Sequence, residues 1–144
     1  MAYNMQLFGK RIFLVEDNQG NAAIIQMLLE QDGAKILRGR WGGPETMALL
    51  EKHLPIDIIL LDLMLPQGIT GYDVFDDIRG QSHTQHIPIV AVSASDPADT
   101  IPKVRRKGFN GFIAKPVDFS LFATQINSIL QGRAVWHIGR IMED

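Results

Sequence analysis

One apolar run near the middle of the chain organises the rest of the sequence: Ile56-Asp57-Ile58-Ile59-Leu60-Leu61-Asp62-Leu63-Met64-Leu65-Pro66. A run of β-branched and aliphatic residues between prolines is typical of a strand that is covered on both faces, as in the middle of a parallel sheet. Asp62 is the exception, because a carboxylate among apolar neighbours is costly to desolvate unless it reaches water, a partner or a metal ion. Asp62 therefore either caps the next turn or marks a functional site at the end of this strand.

Length and composition indicate one globular domain. The chain has 144 residues, of which 46% are hydrophobic and 21% charged, and its formal net charge is -2. A chain of this size can bury a single core, and it has no basic excess with which to neutralise nucleic-acid phosphates, so we expect no direct nucleic-acid partner. It has no apolar run near the roughly 18 residues of a membrane span, no signal-peptide pattern and no cysteine. These features predict a cytoplasmic protein without membrane insertion.

Strand and helix patterns alternate five times along the chain, which predicts an α/β fold with a doubly wound parallel sheet. Besides the central strand, four apolar runs predict strands, the second of them at a sheet edge: Arg11–Val15, Ala34–Gly39, Pro88–Val92 and Gly111–Ala114. Apolar spacing predicts five helices: one capped by Asn18, one after the turn at Gly42–Glu45, and three over Tyr72–Arg79, Ile101–Lys107 and Asp118–Leu130. The fourth helix is predicted to be short because Pro97 and Pro102 interrupt its beginning.

Three segments follow from this pattern: a lead over 1–9, the main domain over 10–131 and a tail over 132–144. The tail contains Val135, Trp136 and Ile138 and is too apolar for an ordinary disordered end. It is interpreted as an extra helix, an interaction segment or a linker stub, with interaction or packing favoured. No second domain fits, so we expect a stand-alone regulator if the chain is complete.

Polar residues follow four of the five predicted strands: Glu16 and Asp17, Asp62, Ser93, and Lys115. Parallel strands bring these ends to one rim of the sheet, where ligands bind in such folds. Three clustered acids repel one another and need a cation, and hard oxygen ligands favour Mg²⁺. Asp62 could then accept a phosphoryl group as an acyl phosphate, with the lysine and the serine contacting phosphate oxygens. Each residue also has an ordinary interpretation, as a solvated lysine, a helix cap or loop acids, but their joint placement argues against it.

Four motifs occur in matching order and spacing: Val15-Glu16-Asp17-Asn18, Leu61-Asp62-Leu63-Met64-Leu65-Pro66, Val92-Ser93-Ala94 and Phe112-Ile113-Ala114-Lys115-Pro116. With them, the chain resembles a response-regulator receiver domain of two-component signalling, of the single-domain chemotaxis-regulator kind, over roughly Arg11–Leu130. The resemblance implies a flavodoxin-like sheet of five strands in the order 2-1-3-4-5.

The resemblance also implies roles. A sensor histidine kinase or phosphotransfer protein would phosphorylate Asp62, and the signal would pass to a downstream protein target, with a homodimer as a further option. The implied Mg²⁺ ligands are Glu16, Asp17, Asp62 and the backbone carbonyl of Met64. The implied phosphate-binding and switch residues are Ser93, Ala94, Lys115 and Phe112. Ser93 would swing toward the phosphate and Phe112 would turn inward behind it, although plain core packing is an equal interpretation of Phe112.

Two features depart from the family pattern. Gly71 lies nine residues after Asp62, where the family usually has eight, which suggests an inserted residue within Gln67–Thr70. Pro97 and Pro102 fall where the fourth helix normally begins, so we expect an unusual face around helix four, strand five and helix five, where the family generally binds partners.

Two other functions are considered. A pseudo-receiver would keep the fold as an interaction module and never use Asp62, but such a module has no need for all five rim residues. A hydrolase passing through an aspartyl phosphate would need a general acid, which Met64, two residues after Asp62, does not supply. We therefore expect a phosphoacceptor rather than an enzyme, with at most slow loss of its phosphoryl group to water.

Overall fold

The computed structural model describes residues 5–40, 43–66 and 68–137, which form alternating strands and helices. The strands are β1 (Arg11–Val15), β2 (Lys35–Gly39), β3 (Ile58–Leu61), β4 (Ile89–Ser93), β5 (Gly111–Ala114) and β6 (Val135–His137). The helices are α1 (Gln19–Gln31), α2 (Gly43–His53), α3 (Gly71–Arg79), α4 (Pro97–Lys107) and α5 (Phe122–Leu130).

The strands form one parallel sheet in the order β2-β1-β3-β4-β5-β6. This confirms the predicted doubly wound sheet and the order of its first five strands, with the polar second strand at an edge. The prediction of five strands is corrected to six, because part of the tail adds β6 to the outer edge of β5. The open edge of β5 would otherwise present unpaired backbone groups, which a strand laid alongside it can satisfy.

Helices cover both faces of the sheet because its central strands are apolar on both sides. Ile58 and Leu60 of β3 lie in a core cluster with residues of α1 and α5. Ile59 and Leu61, the alternate residues of the same strand, lie in a second cluster with residues of α2, α3 and α4. All four are fully buried, as expected for a strand between two helical layers.

The fourth helix differs from its prediction: it spans Pro97–Lys107, not only the part from Ile101 onward. Pro97 occupies the first turn, where a missing N–H costs nothing, and the Asp96 side chain caps the helix by accepting from the Ala98 amide at 3.1 Å. Pro102 lies inside the helix and is exposed, so water can reach the backbone around it. Tertiary packing of Val104, which is fully buried, holds the helix in place despite this proline.

The last helix is shorter than predicted, beginning at Phe122 rather than Asp118. A turn precedes it, in which the amides of Leu121 and Phe122 both donate to the Asp118 carbonyl at 3.1 and 2.9 Å. Leu121, which lies in this turn, is 45% exposed.

The segment before β1 packs on the domain. Leu7 is fully buried in the cluster under α1 and α5, and its amide donates to the buried Asp32 carboxylate at 3.0 Å. The tail is described as far as His137, so its predicted role beyond that residue lies outside the described residues. Across the described ranges, every helix is too short or too polar to cross a membrane.

Candidate functional site

The ends of β1 and β3 bring three carboxylates together. The two strands are direct neighbours, with Val15 opposite Leu61, and the Asp62 amide donates to the Val15 carbonyl at 3.0 Å. As a result, carboxylate oxygens of Glu16, Asp17 and Asp62 lie within 4.8 Å of one another. Glu16 and Asp62 are buried, whereas Asp17 is partly exposed. The sheet topology alone is therefore enough to assemble the acidic cluster that was predicted.

Lys115 enters this cluster from the end of β5. Its Nζ atom lies 3.1 Å from Asp62 Oδ2 and forms a second, shorter ion pair with Glu16 Oε1. The lysine side chain is only 13% exposed, so it serves as a largely buried counter-charge to two buried acids. Removing the lysine from this group would leave both acids buried and uncompensated.

Burial raises the pKa of Glu16 to about 7. The neighbouring Asp62 carboxylate raises the pKa of Glu16 further, while Lys115 partly opposes this shift. The second Glu16 oxygen, Oε2, is buried and has no hydrogen-bond partner among the described residues. The pair of acids is thus under-compensated by one lysine, which leaves room for a further positive charge.

The residues fit a magnesium ion. Three carboxylates supply hard oxygen ligands, and the unpartnered Oε2 of Glu16 is a buried acceptor that a cation would satisfy. Mg²⁺ keeps several waters and takes few protein carboxylates, which suits a cluster whose third member, Asp17, is partly exposed.

The backbone after β3 holds the Asp62 carboxylate in place. Asp62 Oδ1 accepts from the Met64 amide at 3.1 Å, and Met64 forms an isolated bridge with Thr70. Met64 therefore lies at the rim and is 64% exposed, and the metal-binding role of its carbonyl stays a prediction. The predicted insertion within 67–70 falls partly on Gln67, which lies outside the described residues.

Gly71 closes this loop against the end of β3. Its amide donates to the Leu63 carbonyl at 3.0 Å. A Cβ atom at Gly71 would collide with the Asp62 carbonyl oxygen and lie 2.8 Å from Leu63 Cα, both of them backbone atoms. The glycine is needed here for close approach of two backbones.

Ser93 ends β4 with a hydroxyl that is already engaged. Its Oγ lies 2.9 Å from Ser95 Oγ and accepts from the Ser95 amide at 3.3 Å. Ser93 is fully buried and Ala94, which follows it, is exposed. Ser95 was not predicted from the sequence, although a second hydroxyl residue two positions after Ser93 is a visible signal.

Phe112 is fully buried in the middle of β5, opposite Ala91 of β4 on one side and Trp136 of β6 on the other. It belongs to the cluster that faces α2, α3 and α4. This position suits both interpretations given above, a packed core residue and a switch aromatic held inward, so its switch role stays a prediction.

A family model described as "Response regulator receiver domain" matches residues 12–127, which is most of the chain. The chain belongs to this family. Within the receiver domain, the matched range includes every residue of the acidic cluster, Ser93, Phe112 and Lys115.

Known receiver proteins cover nearly the same length. The "Polar-differentiation response regulator DivK" of Brucella anthropi is 32% identical over 121 residues, which is 84% of this chain and 96% of that protein. Among solved structures, a putative response regulator from Chloroflexus aurantiacus J-10-fl has a TM-score of 0.76 at 25% identity, covering 85% of this chain and 98% of its own. The receiver domain of a signal transduction histidine kinase from Syntrophus aciditrophicus has a TM-score of 0.72 at 28% identity, covering 86% and 92%. The receiver fold and its place in two-component signalling are thus shared with these proteins.

Proposed function

We propose that this receiver domain accepts a phosphoryl group on Asp62 from a histidine kinase or phosphotransfer protein, in a Mg²⁺-dependent reaction, and passes the signal on through protein contacts. One observation carries the proposal: the buried Asp62 carboxylate lies beside two further acids and a largely buried lysine. The similarity to a polar-differentiation response regulator supports the same conclusion.

The two carboxylate oxygens of Asp62 have different hydrogen-bond partners. Oδ1 is held by the Met64 amide, which fixes the orientation of the carboxylate, while Oδ2 faces Lys115. One carboxylate oxygen attacks the phosphorus atom of a phosphohistidine, and the phosphorus–nitrogen bond breaks. The electron pair leaves with the imidazole, which takes up a proton, and Asp62 becomes an acyl phosphate.

Lys115 and Ser93 change partners when the phosphoryl group arrives. The lysine exchanges part of its contact with Glu16 and Asp62 for a phosphoryl oxygen, which carries more charge than the carboxylate it replaces. The Ser93 hydroxyl breaks its hydrogen bond with the Ser95 hydroxyl and donates a hydrogen bond to the phosphoryl group instead. Mg²⁺, when bound by Glu16, Asp17, Asp62 and the Met64 carbonyl, would supply positive charge to the phosphoryl oxygens.

The phosphorylated aspartate is the end product rather than a step in substrate turnover. The residue two positions after Asp62 is Met64, which cannot act as a general acid. Attack of water on the acyl phosphate therefore lacks the assistance that a hydrolase would provide. We propose slow loss of the phosphoryl group and no other catalytic activity.

The test is the intact mass of the protein after incubation with Mg²⁺ and acetyl phosphate. We expect a gain of about 80 Da, the mass of one phosphoryl group bound as an acyl phosphate, and its loss when EDTA is added beforehand. Asp62→Asn should abolish the gain. Asp57→Asn is the matched control, because Asp57 precedes the same strand at its opposite end, where its carboxylate accepts from the Arg11 amide at 2.8 Å.

A different outcome would identify a different function. If the wild type gains no mass and binds no Mg²⁺, the chain is a pseudo-receiver that acts as a phosphorylation-independent interaction module. A gain that persists in Asp62→Asn would place the phosphoryl group on another residue and would contradict the proposal.

A further inference from the structure

The sixth strand is an addition to the receiver fold. The family match ends at residue 127, and β6 begins at Val135. β6 pairs with β5 in parallel, with Val135 opposite Gly111, Trp136 opposite Phe112 and His137 opposite Ile113. The strand therefore covers the outer edge of β5, which would otherwise be the edge of the sheet.

Two contacts hold β6 in this place. The guanidinium of Arg105 on α4 lies 5.1 Å from the ring centroid of Trp136, in a cation–π arrangement. The same tryptophan packs against the core cluster that contains Phe112. The backbone also approaches β5 closely, since a Cβ atom at Gly111 would lie 2.9 Å from the Val135 carbonyl oxygen.

The attachment is nevertheless weaker than that of the other neighbour of β5. β6 has three residues, all of them partly exposed. β4, on the opposite side, is fully buried and pairs with β5 over four positions. The connection from α5 to β6 is exposed over 131–134 and contains Gly132 at a φ of +88°. A short, half-exposed strand on an open linker is the first part of a sheet to detach.

We propose that β6 is a displaceable cover on the outer edge of β5, which closes that edge while Asp62 is unmodified and releases it when Asp62 carries a phosphoryl group. This inference rests on the proposed function, because it links the cover to the same site. An uncovered β5 presents the unpaired backbone groups of a sheet edge, to which another extended segment can add.

The direction of the effect follows from how β5 is held. Lys115 directly follows β5, and Ser93 lies opposite Ala114 at the end of the neighbouring strand. Lys115 already contacts Asp62, so a phosphoryl group that becomes the new partner of Lys115 and Ser93 shifts the end of β5 together with the end of β4. β6 follows this movement less readily than β4 does, because Trp136 also contacts Arg105 on α4. The strain therefore falls on the pairing between β5 and β6.

Backbone amide exchange, measured by NMR on the full chain, tests the cover. With Mg²⁺ and acetyl phosphate renewed throughout, we expect exchange over 135–137 to accelerate about tenfold or more, since local opening sets exchange at a sheet edge. The opposite edge strand, Lys35–Gly39, is the internal control and should change less than about twofold. Asp62→Asn in the same mixture should show no acceleration.

The intact mass of the same samples shows whether the β6 cover alone is wrong or whether the proposed phosphorylation is wrong as well. A chain that carries the phosphoryl group and exchanges at an unchanged or slower rate over 135–137 would overturn the cover and leave the proposed function standing. Equal acceleration of both edge strands would also overturn it, because that is general loosening. A chain that gains no phosphoryl group would overturn the proposed function, and the link between β6 and the site with it.

A pair of arginine variants tests the contact that fixes β6. Arg105→Ala should accelerate amide exchange over 135–137 about two- to fivefold in the unphosphorylated chain, which is the effect of losing an exposed cation–π contact. It should also reduce the ratio between the exchange rates of the phosphorylated and unphosphorylated chains. Arg106→Ala is the matched control: it is the next residue of α4, it is exposed, and within the described ranges it makes no ring contact with Trp136. Equal effects of the two substitutions would contradict the role given to Arg105.

Discussion

The carboxyl rim of the sheet and the outer edge of β5 are close together, since Lys115 at the rim lies three residues after Phe112 of β5. Different forces nevertheless stabilise the two regions. At the rim, a largely buried lysine faces two buried acids. At the edge, a half-buried Trp136 lies under the exposed Arg105 and pairs with an apolar strand. Charge, metal ions and pH should therefore act on the rim, whereas the edge should respond mainly to the size and shape of side chains.

Replacing the rim lysine should have the largest effect on stability. Lys115→Ala leaves Glu16 and Asp62 buried without their counter-charge, and breaking a buried ion pair in this way costs about 3–5 kcal/mol. We expect a loss of that size in the free energy of unfolding at pH 8 without Mg²⁺, measured by urea denaturation, and partial recovery when Mg²⁺ is added.

Lys107→Ala is the control for this loss. Lys107 lies 2.9 Å from Asp76, but that aspartate is 62% exposed, so the pair should contribute less than about 1 kcal/mol. If both substitutions cost the same, burial is not what distinguishes the rim.

The backbone of the rim should be the next most sensitive feature. Gly71→Ala places a Cβ atom against the Asp62 carbonyl and 2.8 Å from Leu63 Cα, and overpacking of this kind costs about 2–3 kcal/mol. Gly80→Ala, at the other end of α3, would meet its nearest atom at 3.3 Å with an ordinary φ of -78°. We expect its unfolding free energy to stay within about 0.5 kcal/mol of the wild type, and a comparable loss at both glycines would show that the close approach at Gly71 is unimportant.

Truncating Trp136 at the outer edge of β5 should lower the free energy of unfolding by a smaller amount, and this loss should not depend on Mg²⁺. Trp136→Ala removes a ring that is only partly buried, so we expect a loss of about 2 kcal/mol, below the 3–5 kcal/mol of a core aromatic. The loss should be equal with and without Mg²⁺ in urea denaturation, and Trp136→Phe should restore most of it. A magnesium-dependent loss would mean that rim and edge are not separate in the unphosphorylated protein.

The same contrast explains what the sequence could predict. Glu16, Asp62 and Lys115 follow strands and Ser93 ends one. Because parallel strands end at one rim, the proximity of these residues follows from topology without knowledge of any side-chain contact. The ion pairs of Lys115 and the hydrogen bond between the Ser93 and Ser95 hydroxyl groups depend on side-chain rotamers, which the sequence pattern does not specify.

The structure around the outer edge of β5 was harder to predict, because tertiary contacts there outweigh the local conformational preference of the sequence. Pro97 and Pro102 argued for a short α4, but a side-chain cap and buried Val104 support the full helix. The tail was apolar enough to predict packing, yet three residues at Val135–His137 are too short for their period to distinguish a strand from a helix. Its strand form comes from the edge of β5, which lies more than twenty residues earlier in the chain.

The smallest expected effect is the change in Mg²⁺ affinity with pH, which comes from the proton on Glu16. Because the pKa of Glu16 is raised from 4.5 to about 7, the folded protein keeps a proton there between about pH 4.5 and 7 that the unfolded chain has lost. Without metal, this contribution to stability is present at low pH and is lost as the pH rises through that window. Mg²⁺ must displace the proton, so its affinity should rise about tenfold from pH 6 to pH 8, which corresponds to ~1.4 kcal/mol. Titration calorimetry at both pH values measures this change. Glu16→Gln should weaken binding and flatten its pH dependence, and an unchanged slope would assign the proton to another group.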